Sequence, residues 1–248
     1  MKDEQLLRYS RQIMLPRFDI DGQEKLLSAR ILIMGVGGLG CPAALYLAAA
    51  GTGELVLCDP DTVDISNLQR QILFNESDIN HLKVEAAADK IRAINAEVRC
   101  TLIPEKLEAT ALLDEIKAAD VVLDCTDNFH SRFAINEACV TTETPLVSGA
   151  AIRLNGQLAV YDFRKPQEPC YRCLYGEQSD EQLSCSESGI LGPVVGTIGT
   201  MQALEAIKLV AGFGQTLSGR LMIFDALTMQ WQSMTLQADP ACPVCAQK

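Results

Sequence analysis

The residues with the clearest chemical potential are four cysteines that form two Cys-x-x-Cys pairs. The first pair is Cys170 and Cys173, and the second is Cys242 and Cys245. Each pair is spaced so that both thiolates bind one metal ion, and together the pairs complete the tetrahedron of a closed structural zinc site. We therefore predict that Zn²⁺ joins the C-terminal tail to the rest of the chain. Redox-active pairs or disulfides are the alternative.

A glycine-rich stretch has the spacing of a phosphate-binding turn. Gly35, Gly37 and Gly40 fit the pattern Gly-x-Gly-x-x-Gly after a short apolar run, and Gly38 adds a further glycine. Such a turn lets a phosphate approach the backbone at the N-terminus of the following helix. Dehydrogenases, methyltransferases and tight turns without a ligand share the fingerprint, so the glycines alone leave the ligand open.

Charged side chains follow the glycine turn near the ends of predicted strands. Asp59 ends a strand about 20 residues after the turn, a spacing that suits an acceptor for a ribose hydroxyl. Arg70 and Lys83 would neutralise a polyphosphate, although both also fit ordinary surface cations. Asp127 would repel phosphate unless a divalent cation intervenes, which indicates Mg²⁺. The alternative is that Asp127 caps the next helix together with Asn128.

Two further features have open roles. Arg8 and Arg11 are three residues apart, which predicts one basic helix face that by itself is best explained as solvated. Cys185 lies in a polar loop, where a thiol is either an accessible nucleophile or an ordinary loop residue. Other cysteines fall in predicted regular elements and are interpreted as small buried apolar residues. They are Cys41, Cys58, Cys100, Cys125 and Cys139.

Alternating apolar strands and helices must position these residues. The pattern predicts an α/β fold with a doubly wound, mainly parallel Rossmann-like sheet, extended by C-terminal antiparallel strands. Residues 1–248 are predicted to form a single domain. It divides into a helical lead-in over 1–28, a nucleotide-binding part over 29–163, and a C-terminal part over 164–248 that carries an irregular segment, late strands and the zinc staple.

Composition limits the class of protein. The net charge of −11 and the pI near 4.7 argue against nucleic acid or an anionic membrane as a partner. The N-terminus lacks the apolar core of a signal peptide, so we expect a cytoplasmic protein with reduced cysteines. An uncharged run over 188–204 is short and glycine-rich for a membrane span, and we interpret it as a buried loop and helix start.

The motifs together resemble the MoeB/ThiF family of ubiquitin-activating-enzyme-like adenylyltransferases, and the likeness runs over essentially the whole chain. The stretches that carry it are Arg8–Gln12, Gly35–Gly40, Ser66–Gln71, Lys83, Asp124–Asn128 and the two Cys-x-x-Cys pairs. The resemblance implies an enzyme that uses ATP to adenylate the C-terminal carboxylate of a small ubiquitin-fold sulfur carrier ending in Gly-Gly, with release of pyrophosphate.

The resemblance also implies roles for individual positions. Gly38 would lie against the phosphates, Asp59 would bind the ribose, and Asp127 would hold Mg²⁺. Arg70 would contact the triphosphate together with Asn67, and Lys83 would hold phosphate charge. The positions implied to bind ATP are Gly35, Gly37, Gly38, Gly40, Asp59, Ser66, Asn67, Leu68, Gln69, Arg70, Lys83, Asp127 and Asn128. Arg11 matches an arginine that reaches into the partner's site in the family's homodimer.

The resemblance leaves the pathway open between molybdenum-cofactor and thiamine biosynthesis. Gln71–Phe74 is ThiF-like, whereas Ser148–Arg153 is MoeB-like, which favours the MoeB branch slightly. Cys185 matches a loop cysteine that is implicated in sulfur transfer in the ThiF branch. A rhodanese domain of the kind found in some relatives is not expected, so another protein would donate the sulfur. Two alternatives are an NAD-dependent oxidoreductase and a non-catalytic zinc-stapled module that binds ubiquitin-like tails.

Overall fold

The predicted strands join one mixed sheet in the computed structural model, which describes residues 1–176 and 189–246. The order is β3-β2-β1-β4-β5-β6-β7-β8. Neighbours from β3 to β5 are parallel, and those from β5 to β8 are antiparallel. The strands are β1 Arg30–Met34, β2 Glu54–Cys58, β3 Arg99–Ile103, β4 Val121–Asp124, β5 Leu146–Ile152, β6 Asn155–Tyr161, β7 Arg220–Asp225 and β8 Gln230–Thr235. The predicted fold class is therefore confirmed.

Helices cover both faces of the parallel part. They are α1 Asp3–Arg8, α2 Ser10–Ile13, α3 Asp19–Ser28, α4 Gly40–Ala50, α5 Lys83–Ile94, α6 Ala109–Lys117, α7 Phe129–Thr142, α8 Tyr171–Leu174 and α9 Gly192–Ala211. The buried core contains α4, α5 and α9 on one face, and α6 and α7 on the other. Because side chains alternate along a strand, Ile31 and Ile33 pack on the first face, and Leu32 and Met34 on the second.

Parallel strands buried on both faces must be apolar throughout, which is why β1, β2 and β4 appear in the sequence as short continuous apolar runs. The sheet order reverses between β1 and β4, since β2 and β3 lie on one side of β1 and β4 to β8 on the other. Such a switch point leaves a crevice beyond the carboxyl ends of the strands, and ligands of open α/β sheets bind there. The turns after β1, β2 and β4 all open into this crevice.

The long apolar helix α9 contains most of the uncharged run that the sequence analysis compared with a membrane span. By length and composition alone it could cross a membrane, since an 18-residue stretch of the helix has a mean hydropathy of 1.3. About half of that stretch, 56%, is buried within the protein, and the helix packs on α4 and β5. These are the properties of a core helix, and the predicted helix start within 188–204 is confirmed at Gly192. The predicted burial of the loop before it is wrong for the described residues, since Leu191 is 53% exposed.

The structure changes two details of the prediction. Arg8 and Arg11 do not share a helix face, because α1 ends at Arg8 and α2 begins at Ser10. Tyr9 causes the break: its ring is buried against Gly51, and its hydroxyl accepts a hydrogen bond from Asn95 Nδ2 at 2.8 Å. Pro42 predicts that the helix after the glycine turn begins near it, because proline favours the first helical turn, whereas the helix begins at Gly40.

Candidate active site and metal centre

A cavity of about 1480 Å³ lies at the switch point of the sheet. It exceeds the roughly 300–1,000 Å³ of ordinary small-molecule pockets, so it has room for a nucleotide and a segment of a second substrate. Several residues that the sequence singled out line this one cavity. They are Gly35, Gly37, Gly38, Asp59, Arg70, Lys83, Asp127 and Asn128.

The glycine turn begins directly after β1 and is packed too tightly for side chains. Gly35 has a φ of +92°, and a Cβ there would lie 2.9 Å from the carbonyl oxygen of Cys125. At Gly40 a Cβ would lie 2.0 Å from the carbonyl oxygen of Gly35. Gly35 therefore requires glycine for both conformation and space, whereas Gly40 requires it for space alone. The turn brings the N-terminus of α4 against the connection between β4 and α7.

Asp59 anchors the glycine turn from the end of β2. One of its carboxylate oxygens accepts the N–H of Val36 at 2.8 Å, and the other accepts the N–H of Asp61 at 2.9 Å. Burial raises the pKa of Asp59, while nearby Lys83 and the two backbone donors lower it. Each oxygen keeps a second lone pair, so a ribose hydroxyl can still donate to it.

Lys83 is a buried cation at the start of α5, and its Nζ lies 2.7 Å from Asp61 and 3.9 Å from Asp59. A buried ammonium requires such partners, because an unpaired charge is costly away from water. The Asp61 side chain is 65% exposed, so that part of the ion pair contributes little and can open towards a phosphate. Lys83 is thus a positive charge that is already held at the cavity wall.

The segment after β2 forms a short 3₁₀ helix, Ile65–Asn67, and the side chain of Asp64 caps it by accepting the N–H of Ser66. Arg70 donates from its guanidinium to the carbonyl oxygen of Ser66 at 3.0 Å and lines the cavity. Gln71 also lines the cavity, and its buried Oε1 has no hydrogen-bond partner among the described residues. An orphaned acceptor at a cavity wall fits a ligand that donates a hydrogen bond.

Asp127 and Asn128 come directly after β4. The cap of α7 belongs to Asn128, whose side chain accepts the N–H of Ser131 at 2.9 Å. The carboxylate of Asp127 is exposed, and Asn128 Nδ2 lies 3.4 Å from it. A hard, solvent-facing oxygen donor beside a phosphate-binding turn suits Mg²⁺.

Some predicted residues lie elsewhere. Among the described residues, Gly40, Ser66, Asn67, Leu68 and Gln69 do not line the cavity. Gly40 packs against the turn itself, Ser66 and Asn67 lie on the 3₁₀ helix, and Leu68 and Gln69 follow that helix. Arg11 lies on α2 and is exposed, away from the cavity walls described here. Cys185 falls outside the described residues.

The cavity has walls that the sequence reasoning missed. Arg132, Tyr171 and Tyr175 line it from α7 and the segment around α8, and Gln157 lines it from β6. The Tyr175 hydroxyl donates to Gln157 at 2.5 Å. Helical spacing offered one signal, because Arg132 follows the N-cap Asn128 by one turn and so stands over the strand end. The sequence offered no signal for Tyr171 and Tyr175, because their position at the cavity depends on how the segment around α8 packs against the sheet.

The four predicted cysteine ligands converge, although they come from segments about 70 residues apart. Cys170 lies 3.6 Å from Cys242 and 3.9 Å from Cys173 between sulfurs, and Cys173 lies 3.4 Å from Cys245. A tetrahedral zinc with bonds of about 2.3 Å separates its sulfurs by about 3.8 Å, so the cluster is compatible with Zn²⁺. Burial raises the pKa of the Cys170 thiol to about 12, so metal binding there must release a proton.

Fold and site together define a doubly wound α/β protein with a glycine turn at the switch point of the sheet and a cluster of four cysteines that is compatible with a metal ion. The profile of the ThiF family matches residues 9–244. This match spans nearly the whole chain, so the protein belongs to the ThiF family.

Two curated relatives align over nearly their full length. The molybdopterin-synthase adenylyltransferase of Salmonella typhimurium is 47% identical over 247 residues, which cover 100% of this chain and 99% of that protein. The sulfur carrier protein ThiS adenylyltransferase of Escherichia coli is 48% identical over 246 residues, which cover 99% and 97%. These identities do not separate the two branches.

Solved structures support the fold. A crystal structure of E. coli MccB with MccA-N7isoASN superimposes with a TM-score of 0.84 at 24% identity, covering 97% of this chain and 74% of that one. At this identity the likeness concerns the fold alone. The predicted family is therefore confirmed by sequence, and the predicted architecture by structure.

Proposed function

We propose that the protein adenylates the C-terminal Gly-Gly carboxylate of a small ubiquitin-fold sulfur carrier with ATP and releases pyrophosphate. The observation that carries the proposal is the convergence of the glycine turn, Lys83 and Asp127 on one cavity. The chain aligns end to end with relatives that are named adenylyltransferases. An NAD-dependent oxidoreductase would leave Arg70, Lys83 and Asp127 without a role.

The chemistry is the attack of a carboxylate oxygen on the α-phosphorus of ATP. A new P–O bond forms, the bond to the β-phosphate oxygen breaks, and pyrophosphate leaves with the bonding electrons. The nucleophile is already deprotonated at neutral pH, so no general base is needed. The obstacle is anion repulsion, which positioned cations and backbone N–H groups lower.

Each cavity residue then has a task. The N–H groups of the glycine turn and of the N-terminus of α4 donate hydrogen bonds to phosphate oxygens. Lys83 and Arg70 neutralise the triphosphate, and Asp59 accepts from the ribose while holding Val36 in place. Asp127 would hold Mg²⁺, which supplies further charge neutralisation at the phosphates.

The four-cysteine centre would hold a structural Zn²⁺. Four thiolates complete the coordination shell and leave no open position for substrate. The metal would fix α8, whose tyrosines line the cavity, to the C-terminal tail. Zinc thus belongs to the scaffold of the site and not to its chemistry.

The carrier and the second subunit are part of the proposal. A ThiS-type carrier and a molybdopterin-synthase carrier are both candidates, with an external protein as sulfur donor and Cys185 as a candidate for that later step. Arg11 would act from the partner of a homodimer, which fits its position away from the described walls of the cavity.

The test is ATP–pyrophosphate exchange with each carrier in turn, followed by mass spectrometry of the acyl-adenylate. We expect one carrier to stimulate exchange, and Asp127→Asn and Lys83→Gln to reduce it about 100-fold or more. Asp114→Asn and Lys117→Gln are the matched controls, because both residues are exposed on α6 and outside the cavity wall. Exchange that persists in both site variants, or no acyl-adenylate with either carrier, would refute the proposal.

A further inference from the structure

The turn that carries Asp127 is held by an unusually complete set of contacts to the preceding residue, Thr126. The Asp124 carboxylate accepts from the Thr126 N–H at 3.0 Å and from its hydroxyl at 2.6 Å. The Arg132 guanidinium donates to the Thr126 carbonyl oxygen. The backbone N–H, the hydroxyl and the carbonyl of this residue are therefore all fixed by two side chains from either side of the turn.

Arg132 reaches the turn from the first helical turn of α7 and is nearly fully buried, with 7% of its side chain exposed. It lies 3.5 Å from Asp124 as an ion pair, and it donates to the Ser148 hydroxyl at 3.5 Å. Burial opposes the charge of Arg132, but the carboxylate of Asp124 raises its pKa above the ordinary value. Tyr171 and Tyr175 face the same guanidinium, and no further cation is involved among the described partners.

The contact to the Thr126 carbonyl matters because that oxygen belongs to the peptide group joining Thr126 to Asp127. A peptide group is planar, so fixing its oxygen sets the direction in which Asp127 leaves the turn. Asp127 is itself exposed, and its carboxylate has only a long contact to Asn128 at 3.4 Å. Its geometry therefore depends on the peptide behind it.

We propose that Arg132 is a positioning residue for Asp127: by clamping the Thr126–Asp127 peptide, it presents the carboxylate towards the glycine turn, where a metal-bound phosphate would lie. This inference rests on the proposed function for the role of Asp127. The glycine turn completes the arrangement, because Gly35 packs on the carbonyl of Cys125 just before the clamped residue. A buried cation thus sets the distance between the two halves of the site.

The competing explanation is that Arg132 only compensates the buried charge of Asp124, as buried ion pairs do in many folds. Lysine separates the two roles. It keeps a positive charge for Asp124, but its single ammonium lacks the planar fork that reaches a carboxylate, a hydroxyl and a carbonyl together. If Arg132 has only a structural role, Arg132→Lys changes the stability and weakens nucleotide binding equally with and without Mg²⁺. If Arg132 positions Asp127, the loss of affinity is confined to binding that depends on Mg²⁺.

The experiment is a double-mutant cycle on nucleotide affinity by calorimetry, with ATP in Mg²⁺ and with ATP in EDTA. We expect Arg132→Lys to raise the Kd about 10-fold in Mg²⁺ and less than about 2-fold in EDTA, because only metal-dependent contacts pass through Asp127. Asp127→Asn should have the same pattern, and the double variant should bind no more weakly than Asp127→Asn alone. Arg92→Lys, an exposed substitution on α5, is the matched control.

Thr126→Val provides a second test that does not disturb the buried charges. It removes the 2.6 Å hydroxyl contact to Asp124 and keeps the shape of the side chain. We expect a weaker effect of the same kind, about 3-fold in Mg²⁺, together with a lower thermal transition, because the buried Asp124 carboxylate loses one donor. If Arg132→Lys does not fold, this variant alone decides. Additive losses in the double variant, equal losses with and without Mg²⁺, or no loss in Thr126→Val would overturn the inference.

The two proposals fail separately. Calorimetry needs no carrier, so the absence of carrier-stimulated exchange refutes the proposed function and leaves the cycle readable. Conversely, if ATP–pyrophosphate exchange depends on Asp127 but the double-mutant cycle shows no coupling between Asp127 and Arg132, that result refutes only the role of Arg132.

Discussion

At the scale of single residues, Asp59 illustrates how one side chain serves both fold and site. The sequence assigned it to a ribose, from its place at the end of β2. In the structure its carboxylate is buried and accepts the N–H of Val36 in the glycine turn and the N–H of Asp61 beyond β2. We therefore expect a change at this position to disturb the glycine turn as well as the proposed ribose contact, so that loss of activity in Asp59 variants would not be specific to sugar binding.

Glu54 provides a prediction at the same scale, because it joins three strands. Its carboxylate lies 2.8 Å from Arg99 and accepts from Thr101 on β3, and lies 3.7 Å from Arg30 on β1. Burial raises the pKa of Glu54, but these partners outweigh burial and hold it below 4.5. The stabilisation is thus complete above the unfolded-state pKa of 4.5 and is lost as the pH falls through the lowered folded-state value.

Glu54→Gln should lower the free energy of unfolding by about 1 kcal/mol at pH 7, with a smaller difference from the wild type below pH 4. Urea denaturation at both pH values measures this. Glu137→Gln, an exposed change on α7, should show neither effect. A difference that is constant or grows on acidification would contradict the assignment.

At the scale of elements, local pattern was sufficient where an element carries its own signal. The apolar runs of β1, β2 and β4 and the glycine turn follow from short stretches of sequence. Gln202 could not be predicted in this way. Gln202 on α9 donates to the carbonyl oxygens of Asp124 and Val147, at 2.8 and 3.1 Å, so its role exists only once α9 packs on the sheet.

The C-terminal tail after β8 is a second case in which the local sequence pattern does not predict tertiary packing, and it provides a prediction at this scale. The spacing of the cysteines indicated their shared ligand, but only the structure places α8 between the metal centre and the cavity. Cys242→Ser removes one of four thiolates. We expect the zinc content to fall from about one ion per chain, with faster proteolysis of the tail after β8.

Metal analysis of protein purified under reducing conditions and limited proteolysis followed by mass spectrometry check this prediction. Cys100→Ser is the matched control, since Cys100 is half-buried on β3 and outside the cluster. No zinc in the unaltered protein, or an equally cleaved tail in Cys100→Ser, would refute the structural role of the metal.

At the scale of the whole molecule, the sheet order explains why the site forms where it does. The reversal between β1 and β4 places three chemically distinct turns around one crevice: the glycine turn after β1, Asp59 after β2, and Asp127 after β4. From this chain, Lys83, Arg70 and Lys106 bring positive charge to the cavity wall, while Arg132 is paired with Asp124. Arg11 stands apart from the described cavity walls, which agrees with the proposal that a second copy completes the site.

Complementation between subunits tests this whole-molecule proposal. In a heterodimer of Arg11→Ala and Asp127→Ala chains, purified through two different tags, one of the two sites regains both residues if Arg11 acts in trans, so exchange should return to about half of the wild-type rate. Each variant homodimer should remain below about 1%, because every site lacks one group. The reciprocal pairing sharpens the test: a chain with both substitutions, joined to a wild-type chain, should be inactive. Were Arg11 to act within its own chain, the outcomes would exchange, with an inactive first heterodimer and about half activity in the second.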